Sequence, residues 1–315
     1  MKADDKEVDS ASLSLGDRIT VCGISWGSGL AEGRVRISGA PSRFVPLTGL
    51  RIGYDASSAK IQCVGHKPFR DRSAPWVDCD NAPLHGGRKC DRCTANDAAF
   101  ASQLHHAHTR GVGELDASVQ THLAQQHHLY LAAFRDGSIK VGTSTSPRLH
   151  TRLAEQGAWR AEIVATATDG VAIRLIEDAV TSELGIAQSV SARRKLRGLA
   201  DPIADEALER ELTRWASAVH VLIDEFGSDQ ITPTTEAWVS PVSADPTWSN
   251  VLEYPLDLRT GNHVLNIVGV CGRLMAFQRP GVDDIFIADL RRLYGFEVEL
   301  ADVQPDELSV QDSLF

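Results

Sequence analysis

Nowhere in the 315 residues is there a run approaching the ~18 consecutive apolar residues of a membrane span, so no membrane partner is expected. The opening Met1-Lys2-Ala3-Asp4-Asp5-Lys6-Glu7 lacks the apolar core of a secretory signal. A surplus of positive charge is also missing. Lys and Arg number 32 against 42 Asp and Glu, for a net charge of -10. That balance argues against a nucleic-acid coat protein, whose whole surface would be basic, but leaves room for an enzyme with a local basic patch. Disulfides are not expected either. A cytoplasmic chain keeps its thiols reduced, and four of the six cysteines crowd into one stretch, which points to metal.

What is present suits an ordinary globular protein, with 43% apolar and 23% charged residues and length for two or three units. Residues 1–15 are polar and expected as a disordered tail. Residues 16–64 hold short β-prone runs such as Ile19–Ile24, Arg34–Ile37 and Lys60–Val64, separated by Gly-Pro-Ser turns. Aliphatic residues are scarce from 65 to 95, so that stretch needs a staple. Residues 96–126 look like a polar helical connector with several histidines, among them His105, His106, His108 and His122. Residues 127–227 form a candidate α/β module, and 228–250, with Pro233, Pro241 and Pro246, are expected as a linker. Residues 251–315 return to β-rich text and are a candidate to pack on the N-terminal segment. The fold class expected is α+β, with small antiparallel sheets.

The staple is visible as Cys63, Cys79, Cys90 and Cys93, spaced C-x15-C-x10-C-x2-C. Four thiolates suit tetrahedral Zn²⁺, and such a closed site is structural, with no position open for catalysis. His66, three residues after Cys63, is an alternative ligand. Cys22 and Cys271 sit in strand text and read as core residues.

In the module, Asp136-Gly137 between two apolar runs signals a hairpin. Gly142-Thr143-Ser144, Arg152, Gln156-Gly157 and Glu177 follow in order. Helical periodicity from Val171 to Leu184 sets Glu177 just beyond one apolar arc, where a carboxylate can line a cleft. The basic run Arg193-Arg194-Lys195-Leu196-Arg197 reads either as an extension of a phosphate-binding face or as a solvated loop.

This constellation resembles the GIY-YIG superfamily, best known in nucleases. The resemblance places the first-motif tyrosine at Tyr130, the second motif at Lys140-Val141-Gly142, the phosphate-holding arginine at Arg152 and the glutamate that binds Mg²⁺ or Mn²⁺ at Glu177. Departures are as informative. His128 stands where the first motif has glycine, Lys140 where the second has tyrosine, and Gln156 where a His or Tyr would follow the arginine. Gln156 cannot act as acid or base, while Lys140 can serve as a base or as a phosphate ligand. His128, Gly142, Thr143, Ser144, Arg193 and Arg194 are the candidate substrate contacts.

The order of parts over about residues 18–300, including Val268-Gly269-Val270-Cys271-Gly272-Arg273-Leu274 and Tyr294-Gly295-Phe296, is similar to a bacterial and archaeal family known as domain of unknown function 2797. That resemblance implies the middle fold and a metal at the cysteines, and no established activity. The functional expectation is a nucleic-acid-processing protein, acting on DNA or RNA, with a metal-dependent phosphodiesterase site of altered chemistry. The alternatives are a non-cleaving nucleic-acid or nucleotide-binding zinc protein, and an enzyme of another class using the same cleft.

Overall fold

The computed structural model describes residues 13–27, 30–71, 74–83, 87–105 and 112–308. Most of the expected tail and the histidines at 106 and 108 lie outside these residues. Among the described residues the fold is α+β, with six α-helices and sheets that are antiparallel apart from one parallel pair at a sheet edge. No helix among the described residues is long and apolar enough to cross a membrane.

The N-terminal strands are β1 (Arg18–Gly27), β2 (Leu30–Ile37), β3 (Arg43–Pro46), β4 (Arg51–Asp55) and β5 (Lys60–Ile61). Two helices follow, α1 (Asp91–His105) and α2 (Ala117–Leu123). The module then runs β6 (His127–Ala133), β7 (Ile139–Thr145), α3 (Leu149–Gln156), β8 (Arg160–Ala167), α4 (Gly170–Leu184), α5 (Ala192–Ala200), α6 (Asp205–Phe226) and β9 (Ile231–Val239). The C-terminal strands are β10 (Val251–Glu253), β11 (Asn262–Cys271), β12 (Leu274–Arg279), β13 (Val282–Asp289) and β14 (Phe296–Glu299).

The two ends of the chain exchange strands. One sheet has the order β3-β2-β1-β14-β5 and the other β10-β13-β12-β11-β4, so a C-terminal strand completes the first and an N-terminal strand the second. Both sheets bury their apolar faces in one core, where Ile19, Val35 and Ile52 meet Leu265, Phe277 and Val298. A core shared in this way ties the segments on either side of the module together.

The module sheet has the order β7-β6-β8-β9. Alternation along β6 sends its side chains to two different cores. Leu129, Leu131 and Ala133 pack with Ile173 and Ile176 of α4 and Leu208 and Val219 of α6. Tyr130, Ala132 and Phe134 pack with Leu149 and Leu153 of α3 on the opposite face. Asp136 and Gly137 turn the hairpin, with Gly137 at φ +82°. Asp169 caps α4 by accepting from the backbone N–H groups of Val171 and Ala172.

Two expectations need correction. The stretch 228–250 is not a linker throughout, because Ile231–Val239 forms the outer strand of the module sheet. Pro233 suggested a break, yet it lies opposite Ala165 just past a bulge in an edge strand, where a missing N–H costs no ladder bond. The basic run is a helix rather than a loop. Ser191 caps α5 by accepting from the N–H of Arg194, and Gly198 and Leu199 are buried on its inner face.

The module packs on the β unit formed by the two strand-exchanged sheets through a shared core, in which Trp159 and Leu199 cluster with Trp248, Leu274 and Ile287, and through two glycines in close contact. Gly157 ends α3 at φ +68° and Gly272 turns β11 into β12 at φ +61°. Their backbones touch so closely that a Cβ on Gly272 would lie 2.6 Å from the nitrogen of Gly157. Trp26 Nε1 donates to Gly272 O at 3.0 Å and fixes the same turn. Gly272→Ala combines a left-handed backbone, worth ~1–2 kcal/mol against a side chain, with this clash. It is expected to lower stability by ~2 kcal/mol or more in urea denaturation. A loss under ~0.5 kcal/mol, the scale of an ordinary surface change, would mean that the junction is slack.

Candidate functional site

Cross-strand pairing sets Tyr130 of β6 opposite Gly142 of β7. A Cβ at 142 would lie 2.5 Å from the Tyr130 hydroxyl, so glycine is required there for the ring to cross the strand. Gly142 is thus a packing requirement. The ring is fully buried, and its hydroxyl accepts from Gln156 Nε2 at 2.6 Å. The same amide also donates to Arg152 O one turn earlier in α3, at 3.1 Å.

Lys140 precedes Gly142 by two residues and so lies on the same face of β7. It is 7% exposed, with Nζ 5.9 Å from the centre of the Tyr130 ring. Burial, then the charge of Arg152, push its pKa down to about 8, against the opposing pull of Glu177. Glu177 is 4% exposed, so it is enclosed rather than at the rim of the α4 face. Burial raises its pKa, while Arg174 and Lys140 hold it down. Arg174 Nη1 donates to the Glu177 carboxylate at 2.9 Å. Tyr130 is held above its ordinary value by burial, against its hydrogen bond from Gln156 and the charge of Arg152. Tyr130, Lys140, Arg152, Gln156 and Glu177, three of them buried, therefore act on one another at the edge where β7 meets α3 and α4.

A cleft of about 910 Å³ is lined by Arg152 of this group and by Arg174, the partner of Glu177, while Tyr130, Lys140, Gln156 and Glu177 are not among its lining residues. One wall is the module, with Thr143, Ser144, Arg148, Arg152 and Arg174. The other combines Arg34 and Phe44 of the β unit with Lys67, Trp76 and Asp78 of the cysteine loop. Five cationic side chains line it against two carboxylates, Asp78 and Glu155. Arg148 is paired with Glu155 at 2.8 Å and Arg34 with Asp78 at 3.1 Å. Arg152 is exposed and has no carboxylate within ion-pair distance among the described residues. His127 also lines the cleft and is buried, its Nδ1 donating to Gln125 O at 2.8 Å. His128 turns away to Ser146 Oγ at 2.9 Å, and burial lowers its pKa. Arg193 and Arg194 do not line the cleft. Arg194 is paired with Asp136 of the hairpin turn at 2.8 Å. Lys195 of the same run instead donates to Gln156 O at 2.7 Å.

Cys63, Cys79, Cys90 and Cys93 converge, with all four sulfurs within 4.8 Å of one another. Metal–sulfur bonds of ~2.3 Å in a tetrahedron give sulfur–sulfur edges of ~3.8 Å, and Cys79 Sγ and Cys90 Sγ are 3.7 Å apart. Backbone N–H groups of Gly65 and Cys90 donate to Cys63 Sγ at 3.4 and 3.3 Å, as they would to a thiolate. The Cys93 backbone N–H draws the Cys90 thiol down to about 6. The set can hold a metal ion. His66 stands behind it, its Nδ1 3.2 Å from Cys93 Sγ.

Residues 58–298 match a family described as a protein of unknown function, DUF2797. The chain belongs to this family. No curated protein and no solved structure matches it. The DUF2797 span takes in the four clustered cysteines, the whole module and the Gly272 turn, whereas β1 to β4 lie before it.

Sequence reading passed over Arg174, although its place one turn before Glu177 is the spacing at which helix side chains pair. It also passed over Arg34 and Trp76, whose roles come from contacts distant in the chain. For the cysteine site, one equivalent of bound metal per chain is expected by mass spectrometry. Cys93→Ser should release it and lower Tm by at least ~3 °C, or ~2 kcal/mol for a chain of this size. An unchanged Tm in the metal-free variant would remove the structural role.

Proposed function

We propose that this DUF2797 chain binds a nucleic-acid phosphodiester in the cationic cleft and hydrolyses it at a GIY-YIG-like site of altered chemistry. The observation that carries this reading is a cleft lined by five cations, on a chain of net charge -10, beside the buried set of Tyr130, Lys140 and Glu177. A hairpin, helix, strand and helix in that order, with sheet order β7-β6-β8, support the family assignment of the module. The cysteine cluster is assigned to structural Zn²⁺ on its all-thiolate donor set.

The altered chemistry follows from Gln156. Gln156 donates through Nε2 to Tyr130 Oη, so in this arrangement the phenolic proton is left for another acceptor, such as a phosphate oxygen. Lys140, with a pKa of about 8, is mostly protonated at neutral pH and so presents a cation to the phosphate before it can serve as a base. Arg152, a cleft cation without a carboxylate partner among the described residues, holds the phosphate from α3. Glu177 is the carboxylate of the set, and a single carboxylate suits a heavily hydrated Mg²⁺ or Mn²⁺. Such an ion would stabilise charge on the leaving oxygen. Arg174 must release Glu177 for that to happen.

The Arg174–Glu177 pair favours a second reading, a binding protein that does not cleave. Labelled single- and double-stranded DNA and RNA, incubated with Mg²⁺ or Mn²⁺, separate the two. Cleavage is expected, with Arg152→Ala slower by ~10²–10³-fold, the usual loss for one charge-stabilising donor, and Glu177→Gln inactive. Equal background from wild type and Glu177→Gln would leave only the binding reading. A pH series adds an independent check. If Lys140 acts as a cation, affinity falls as pH rises through about 8, and Lys140→Arg flattens the profile. A cleavage rate that instead climbs through pH 8 at constant affinity would make Lys140 a base.

A further inference from the structure

The two walls of the cleft differ in kind. Three arginines, Arg148, Arg152 and Arg174, come from the module, while the aromatic groups Trp76 and Phe44 lie on the wall facing them. Phe44 is 44% exposed and Trp76 half-buried. A groove with cations on one side and aromatic rings on the other fits a strand whose bases are unpaired. Phosphates meet the arginines and bases stack on the rings. A duplex hides its base faces and presents phosphate alone.

Trp76 is held by the cysteine site. Val77 and His66 exchange backbone hydrogen bonds at 2.9 and 3.0 Å, and this bridge lies between Cys63 and Cys79 in the chain. Gly65, at φ +72°, allows the approach, since a Cβ there would collide with Val77 O. Arg34 then lies over the Trp76 ring at 4.2 Å, fixing its plane and adding positive charge to it.

We propose that Trp76 is a base-stacking residue and that the ligand of the cleft is a single-stranded nucleic acid, gripped between the metal-stapled loop and the arginines of the module. This inference rests on the phosphodiester-binding reading above. It assigns to the cysteine loop a share of the ligand contacts in addition to its part in folding.

Fluorescence anisotropy with the metal-loaded full chain tests it, in buffer without Mg²⁺ or Mn²⁺ so that no cleavage intervenes. The probes are labelled oligo(dT), oligo(U), a blunt duplex of equal length and inorganic polyphosphate as competitor. Single strands are expected to bind at least tenfold more tightly than the duplex. Trp76→Ala should weaken them by ~10–100-fold, the effect of one lost stacking partner. Trp76→Phe should restore most of the affinity, and bound metal should be unchanged in both variants. Duplex binding as tight as single-strand binding, or single-strand binding indifferent to Trp76→Ala yet lost in Arg152→Ala, would overturn this inference and keep the phosphate reading. Polyphosphate competing as well as oligo(dT) at equal charge would do the same. No binding of any probe at low salt would overturn both. If Trp76→Ala loses metal, Phe44→Ser, outside the cysteine loop, decides. A several-fold weakening of single strands alone sustains the proposal, and none overturns it.

Discussion

A buried guanidinium between the β unit and the cysteine loop constrains most of what surrounds it. Arg34 is 2% exposed, and a charge taken so far out of water is tolerable only if its donors are satisfied. Its Nη atoms donate to Val64 O, Cys22 O, Ser42 Oγ and the Asp78 carboxylate. Two of these partners belong to the β unit and two to the cysteine loop. Arg36, two residues on and on the same face of β2, donates to Cys79 O at 2.8 Å. A core-poor loop is thus attached to a well-cored sheet by buried arginines on one side and, on the other, by four thiols poised for a metal. Arginine suits the position because its planar fork reaches several acceptors at once, which a lysine could not.

The module imposes a different constraint on its own charges. Lys140 and Glu177 are both enclosed, and each shifts toward its neutral form because burial penalises the ion more than the neighbouring charges reward it. Groups so shifted have pKa values nearer the working pH, which is the usual condition of residues that exchange protons or bind charged ligands. Glu177 keeps Arg174 as partner in the meantime. A phosphate bound as proposed would draw arginines toward itself and so weaken that pair, which would link occupancy of the cleft to availability of the carboxylate.

Much of the module was legible because its signals are local. Asp136-Gly137 marks the hairpin, and apolar periodicity from Val171 to Leu184 marks α4. The cysteine quartet was legible from spacing alone, whereas His66 standing behind Cys93 was not. The strand exchange between the chain ends was out of reach, since nothing near Arg51–Asp55 records that it pairs with Asn262–Asn266. The strand Ile231–Val239 was hidden by its proline, which breaks strands in general and is harmless at an edge beside a bulge. Arg34 and Trp76 were invisible for the same reason as the exchange. A buried arginine in a strand reads as a surface residue until the loop that covers it is known.

These constraints combine at the cleft. Its module wall is positioned by the contact of Gly157 with Gly272, which sets α3 against the β unit. Its opposite wall is positioned by Arg34 and the thiols. The β unit is common to both, and it is closed by the pairing of β14 with β1 and of β4 with β11. Gln156 joins the two levels, since its backbone carbonyl takes Lys195 of α5 while its side chain holds the Tyr130 hydroxyl next to the docking glycine. Loosening the glycine contact would therefore shift Gln156 and the orientation of Tyr130 before it disturbed Arg152, which projects from the exposed side of the same helix. Releasing the thiols would open the cleft from the far wall and leave the Tyr130 set intact. The separation of these two effects is a property of the architecture. The cleft walls and the buried Tyr130 set are held by different anchors on a shared scaffold.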